Sequence, residues 1–144
     1  MKIGAVGLGN RIAHIFHELS QINQDAKLVA YVDPLPIGKN YSEKHNFFPK
    51  KTYSTLDEML ANEKLDLLMI GSPNHLHLEH IKTGLNAGVK IFAEKPIVVD
   101  ENQSFELAKL LGEFGQDQVL VGLVLRYSQH ARSVRGLINK NALG

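Results

Sequence analysis

The sequence contains no cysteine, which excludes disulfides and thiol catalysis within the chain and suits a reducing cytosol. It also lacks a charge imbalance: 16 Lys and Arg stand against 15 Asp and Glu, a formal net charge of +1. Nothing in that balance calls for nucleic acid or an anionic membrane as a partner. No stretch approaches the roughly 18 consecutive apolar residues of a membrane span. The opening, MKIGAVGLGN, reaches glycine at once and has no helical signal-peptide core or cleavage site, so it reads as a strand. Repeats, low-complexity segments and dividing linkers are missing too. The expected location is cytoplasmic.

What is present is a chain of 144 residues, 44% hydrophobic and 22% charged, the length and composition of one ordinary globular domain. A globule of this size buries roughly 68–70% of its unfolded surface, enough for a real core. Short β-branched runs alternate with helix-length amphipathic ones. Lys2 to Val6 is the first expected strand. A helix follows from about Asn10 to Leu19, with Ile12, Ile15, Phe16 and Leu19 at helical spacing. KLVAYVD is a second strand, GKNYSEKH helix-like, KTYS short and extended, and TLDEMLAN a helix that Thr55 or Asp57 caps. LDLLMIGS is apolar at nearly every position, as expected when both faces are covered. HLHLEHIKTGLNAG is a helix stopped by Gly88, VKIFAE a strand, DENQSFELAKLLGEFG a helix capped by Asp100, and QVLVGLVLR a last strand. This alternation predicts an α/β fold, a doubly wound parallel sheet with the first strand central. The final RYSQHARSVRGLINKNALG carries Arg126, Arg132, Arg135 and Lys140 without interleaved aromatics. It reads as a solvated helix face rather than a nucleic-acid patch.

Four stretches carry the residues of chemical interest, and all follow expected strands. In AVGLGNRIAHIF, Gly7 allows a tight turn and Gly9 lets backbone approach a pyrophosphate, while the next helix offers free N–H groups and a positive dipole end. A full Gly-x-Gly-x-x-Gly pattern would need glycine at Ile12; Ala13 is the expected small contact in its place, and a plain glycine turn is the competing reading. Asp33 ends LVAYVDP, where a carboxylate accepts hydrogen bonds from adenosine ribose hydroxyls and repels a 2′-phosphate. No arginine follows it, so NAD is favoured over NADP; a simple Asp-Pro turn is the alternative. GSPNHLHLEHI holds His75, His77 and His80, but no second ligand cluster makes a metal site of them. Ser72, Pro73 and Asn74 form the loop there, and Asn74 is also placed to cap the next helix. Glu94, Lys95 and Pro96 leave the fifth strand on the same edge, with Pro96 holding Lys95 extended. They face either a ligand crevice or solvent.

Together, GLGNRIA, SPNHLHLEHIKTGLNAGVKIFAEKP and VGLVLRY resemble the glucose–fructose oxidoreductase, inositol dehydrogenase and rhizopine catabolism (Gfo/Idh/MocA) family. That resemblance covers nearly the whole chain and implies an NAD(P)-dependent oxidoreductase acting on sugars, cyclitols or their derivatives. It implies that Ser72, Pro73, Asn74 and His77 lie by the cofactor, and that Asn10, Arg11 and Ile12 meet the pyrophosphate. Glu94 and Lys95 would then sit beside the nicotinamide ribose and the reacting carbon, with Lys95 catalytic, and Arg126 near the nicotinamide end. Members of the family run to more than twice this length and carry a second, substrate-binding domain with a catalytic Asp and His. The expectation is therefore a dinucleotide-binding domain over residues 1–125 and a connecting helix over 126–144, able to bind cofactor but inactive alone. The full-length protein is expected to be a homo-oligomer. A non-catalytic NAD(P)-binding sensor or interaction module is the alternative, and a methyltransferase is disfavoured because Glu-Lys-Pro has no place in that chemistry.

Overall fold

The computed structural model describes residues 1–142. Six parallel strands form one sheet in the order β3-β2-β1-β4-β5-β6. They are β1 (Lys2–Val6), β2 (Lys27–Val32), β3 (Lys51–Thr52), β4 (Leu67–Ile70), β5 (Lys90–Ala93) and β6 (Val119–Val121). The helices are α1 (Asn10–Ile22), α2 (Lys39–Lys44), α3 (Leu56–Asn62), α4 (His77–Asn86), α5 (Glu101–Phe114) and α6 (Gln129–Asn139). The doubly wound parallel α/β fold is as expected, with β1 inside the sheet.

Side chains alternate between two cores, one on each face of the sheet. Ile3 and Ala5 of β1 and Met69 of β4 join Leu8, Ile12 and Phe16 on the α1 side. Val6 of β1 and Leu68 and Ile70 of β4 join Met59, Ile81, Leu85 and Leu107 on the α3–α4–α5 side. Covering both faces is what made the β4 run apolar without alternation. Thr55 caps α3 by accepting the Glu58 N–H at 3.1 Å, and Asp100 caps α5 by accepting the Gln103 N–H at 2.8 Å. Gly88, at φ +72°, ends the turn after α4.

Two expectations need correcting, and a third needs completing. The apolar run QVLVGLVLR is not one strand: β6 stops at Val121, and Val124–Tyr127 forms a 3-10 turn. Asn74 does not cap α4 with its side chain; it begins a 3-10 turn over Asn74–Leu76, and its carbonyl accepts the His77 N–H. At the third-glycine position of α1, Ala13 is fully buried beside Gly38, and it is not the whole of the close contact. Ile12 is itself buried there, and the strand exit makes room for it at Gly71, where a Cβ would stand 2.3 Å from Ile12 Cγ1. Beyond β6 the chain is largely uncovered: no α6 residue is buried, and Leu125, Tyr127 and Ile138 are exposed. Among the described residues no helix is long and apolar enough to cross a membrane.

At the amino end of the sheet a buried carboxylate is paired rather than orphaned. Glu63 Oε1 accepts from Lys51 Nζ at 2.5 Å and from Tyr53 OH at 2.7 Å. The hydrogen bond from Lys51, then that from Tyr53, holds the Glu63 carboxyl below the ordinary carboxylate range. A carboxyl whose folded pKa is depressed stabilises the fold above its unfolded pKa and loses that contribution as pH falls through the folded value. Glu63→Gln should therefore lower the melting temperature at neutral pH. The gap between variant and parent should narrow as pH drops below the unfolded glutamate value of about 4.3; thermal unfolding across that range is the check.

Candidate active site

The carboxyl edge of the sheet is organised by a row of backbone hydrogen bonds, each made by the first residue past a strand. Gly7 N–H donates to Val32 O at 2.9 Å, Gly71 to Val6 O at 2.9 Å, Glu94 to Ile70 O at 2.9 Å and Gly122 to Ala93 O at 2.8 Å. Three of these four positions are glycine. Gly7 has φ +79°, a left-handed conformation that glycine adopts without penalty, and its missing Cβ would fall 2.3 Å from Ser72 N. Glu94 alone carries a side chain in this row, and it is buried.

The carboxylate of Glu94 has definite partners. Its Oε1 accepts from Arg11 Nε at 3.2 Å, joining the β5 exit to the first turn of α1. Its Oε2 receives the backbone N–H of Lys95 at 3.3 Å. Gly122 leaves the space: a Cβ there would stand 2.9 Å from Oε1. The solvated Glu–Lys pair is thereby excluded, because Glu94 pairs with Arg11 while the Lys95 side chain is exposed. The Lys95–Pro96 peptide bond is cis.

Two histidines one turn apart on α4 hold Ser72. His77 is buried between the β4 and β5 exits, with Nδ1 2.8 Å from Pro96 O and Nε2 2.8 Å from Ser72 O; the single N–H of a neutral ring donates to one of these two carbonyls. His80 Nδ1 lies 2.9 Å from Ser72 Oγ. Burial, then the neighbouring His77, pushes the His80 pKa down.

Two adjoining clefts open on this edge. One, of about 530 Å³, is lined by Gly9, Arg11, Ile12, Ser72, Asn74, His77, Glu94 and Lys95, together with Gly71, Val124 and Leu125. The other, of about 580 Å³, is lined by Gly7, Gly9, Asp33, Ser72 and Pro73, with Leu35, Ile37, Gly71, Leu76 and His80 among the rest. Gly9, Gly71 and Ser72 belong to both. Asp33 Oδ1 accepts the Leu35 N–H at 2.8 Å, leaving its second oxygen uncommitted among the described residues. Arg126 lies in neither cleft but lines a smaller one beside Lys95, and Asn10 lines none of the three. Sequence reasoning missed Gly71, the apolar walls Leu35, Ile37 and Leu76, and His80 as a partner of Ser72. The only written signal for Gly71 was an isolated glycine at a strand end.

The arrangement is suited to an extended, two-headed anion-bearing ligand. Gly9 precedes α1 without any side-chain cap, so the first-turn N–H groups of that helix have no intrahelical partner. A Cβ on Gly9 would meet no protein atom within 4 Å, so its exposed backbone faces open space at the junction of the clefts. Helix dipole and free N–H groups at such a place favour a phosphate.

Comparison with known proteins agrees. The family model described as the Gfo/Idh/MocA oxidoreductase family, NAD-binding Rossmann fold, matches residues 1–123. The inositol 2-dehydrogenase of Rhizobium meliloti (strain 1021) is 28% identical over the whole chain, which spans 42% of that relative. The inositol 2-dehydrogenase of Corynebacterium glutamicum (strain R) is 21% identical, again over the whole chain and 42% of the relative. Among solved structures, scyllo-inositol dehydrogenase from Lactobacillus casei with bound cofactor NAD(H) and scyllo-inositol superposes on the whole chain with a TM-score of 0.82 and 28% identity, covering 42% of that protein. The chain thus spans about two fifths of the length of these relatives. With the family's model matched over most of its length, the chain belongs to the Gfo/Idh/MocA oxidoreductases and carries their NAD-binding Rossmann fold.

Proposed function

We propose that this chain binds NAD across the carboxyl edge of its sheet and, in the whole oxidoreductase, serves hydride transfer at a hydroxyl-bearing carbon of a sugar, cyclitol or derivative. The observation that carries this reading is the pair of clefts joined at Gly9, Gly71 and Ser72, with Asp33 in one and Glu94 and Lys95 in the other. In open α/β sheets a dinucleotide lies across such a switch point, adenosine toward the second strand and nicotinamide toward the fourth and fifth.

Each residue then has a physical task. Gly7 and Gly9, with Asn10, Arg11 and Ile12 at the start of α1, receive the pyrophosphate. Asp33 takes the adenosine ribose hydroxyls on its uncommitted oxygen, and its charge disfavours the 2′-phosphate of NADP. Ser72, Pro73 and Asn74 form the floor between the two halves, and His77 lies beside that floor. Bound NAD supplies the hydride acceptor. Lys95, with Arg126 near it, would donate to the substrate oxygen as negative charge develops there, while the hydroxyl proton passes to a base of the substrate-binding part. Residues 1–125 would form the dinucleotide-binding unit and 126–144 the connection toward a substrate-binding part. The inositol dehydrogenases among the relatives suggest a sugar-like substrate, a cytoplasmic setting suits the absence of cysteine, and the whole protein would associate with copies of itself.

Titration of the chain with NADH, followed by fluorescence, tests the reading directly. Saturable binding is expected, and NADPH should bind more weakly. Asp33→Ser should weaken NADH by about ten- to a hundredfold, the scale of losing a hydrogen bond to a charged group (about 1.5–3 kcal/mol), while affecting NADPH far less. Absence of saturable binding up to millimolar NADH would end this reading.

A further inference from the structure

The Arg11–Glu94 ion pair links two places that a dinucleotide would touch together. Glu94 is pinned by its backbone to Ile70, not by its carboxylate. Arg11 is about half exposed, its side chain at 51%, whereas the Glu94 side chain is at 10%. A nearly buried carboxylate lining the cleft on the β4–β5 side therefore has its charge offset by one guanidinium reaching over from α1. If NAD lies as proposed above, the ring at that end is the part of the cofactor whose charge changes on hydride transfer: positive when oxidised, neutral when reduced.

We infer that the Arg11–Glu94 pair sets this site's preference between oxidised and reduced nicotinamide. The inference rests on the dinucleotide reading. A bare carboxylate beside the ring would favour NAD+; the paired guanidinium cancels much of that field and keeps the reduced form competitive. Glu94 supplies the negative end close to the ring, and Arg11 tunes it from the pyrophosphate turn. Any contact that Arg11 makes to the pyrophosphate is common to both cofactor forms, so it drops out of the ratio of their affinities.

The test is calorimetric titration of the 144-residue chain with NAD+ and with NADH, expressed as Kd(NAD+)/Kd(NADH). Arg11→Met should lower that ratio by about five- to tenfold, the scale of one unit charge several ångströms away in a partly screened site. Glu94→Gln should raise it. The double variant Arg11→Met/Glu94→Gln should fall between the two single variants, and its departure from the product of their separate effects measures the coupling between the two groups. Arg11 is exposed and outside the core, so its variant keeps the inference testable even if Glu94→Gln fails to fold. Loss of affinity by the same factor for both forms in Arg11→Met would overturn the inference while leaving the dinucleotide reading intact. Failure of the unsubstituted chain to bind either form would overturn the dinucleotide reading, and this inference with it.

Discussion

Gly7→Ala should unfold the nucleotide-binding turn and abolish NADH binding. Two costs add at this position. A non-glycine residue in a left-handed conformation costs about 1–2 kcal/mol, and Gly7 has φ +79°. The new Cβ would also stand 2.3 Å from Ser72 N, 2.4 Å from Gly71 C and 2.5 Å from Gly71 O. Those are backbone atoms at the exit of a central strand, and no rotamer change can relieve the overlap. A combined loss of roughly 4 kcal/mol places this substitution among the exceptional ones. At about 2–4 °C per kcal/mol for a domain of this size, the melting temperature should fall by roughly 10 °C. Gly88→Ala is the control, since Gly88 also has a positive φ, +72°, but a Cβ there meets nothing within 4 Å. It should show the conformational cost alone, about 1–2 kcal/mol, and leave NADH affinity unchanged. Equal melting points for the two variants would remove the collision argument.

Lys95→Ala should have the largest effect on turnover. Lys95 lines the same cleft as Gly9, Glu94 and Asn74, with its side chain exposed toward that space. In the whole oxidoreductase, a cation there would meet the substrate oxygen as it gains negative charge, an interaction stronger in the transition state than in the ground state. Removing one such donor costs about 10²–10³ in kcat in comparable sites. The affinity of the 144-residue chain for NADH should change little, because the proposed contact is to substrate. Parallel losses in kcat and in cofactor affinity would assign Lys95 to cofactor binding instead, and unchanged turnover would remove it from the mechanism.

Local patterns made the strands and helices legible, because burial on two faces writes uninterrupted apolar runs and capping residues mark helix starts. Thr55 and Asp100 were readable for that reason. Where apolarity had more than one use, the pattern misled: Val124 and Leu125 continue the β6 run in sequence but line clefts from a 3-10 turn. The site was legible as a set of strand exits and not as a set of contacts. The partner of Glu94 lies 83 residues away in sequence, at Arg11, and no periodicity encodes such a pairing. His77 lines the cleft, and its ring nitrogens each stand 2.8 Å from a backbone carbonyl, Pro96 O and Ser72 O, a placement that no sequence pattern encodes.

The exchange between Ile12 and Gly71 makes the two positions epistatic. With isoleucine on the helix, any side chain at residue 71 collides with it, and the Gly71 position also lies 2.9 Å from Gly7 O for an added Cβ. Shrinking residue 12 relieves only the first of these collisions, so the cost of a side chain at residue 71 depends on residue 12 without vanishing when that residue is small. Searches that demand a third glycine on the helix will overlook turns of this kind, in which a glycine at the exit of a neighbouring strand leaves the room instead.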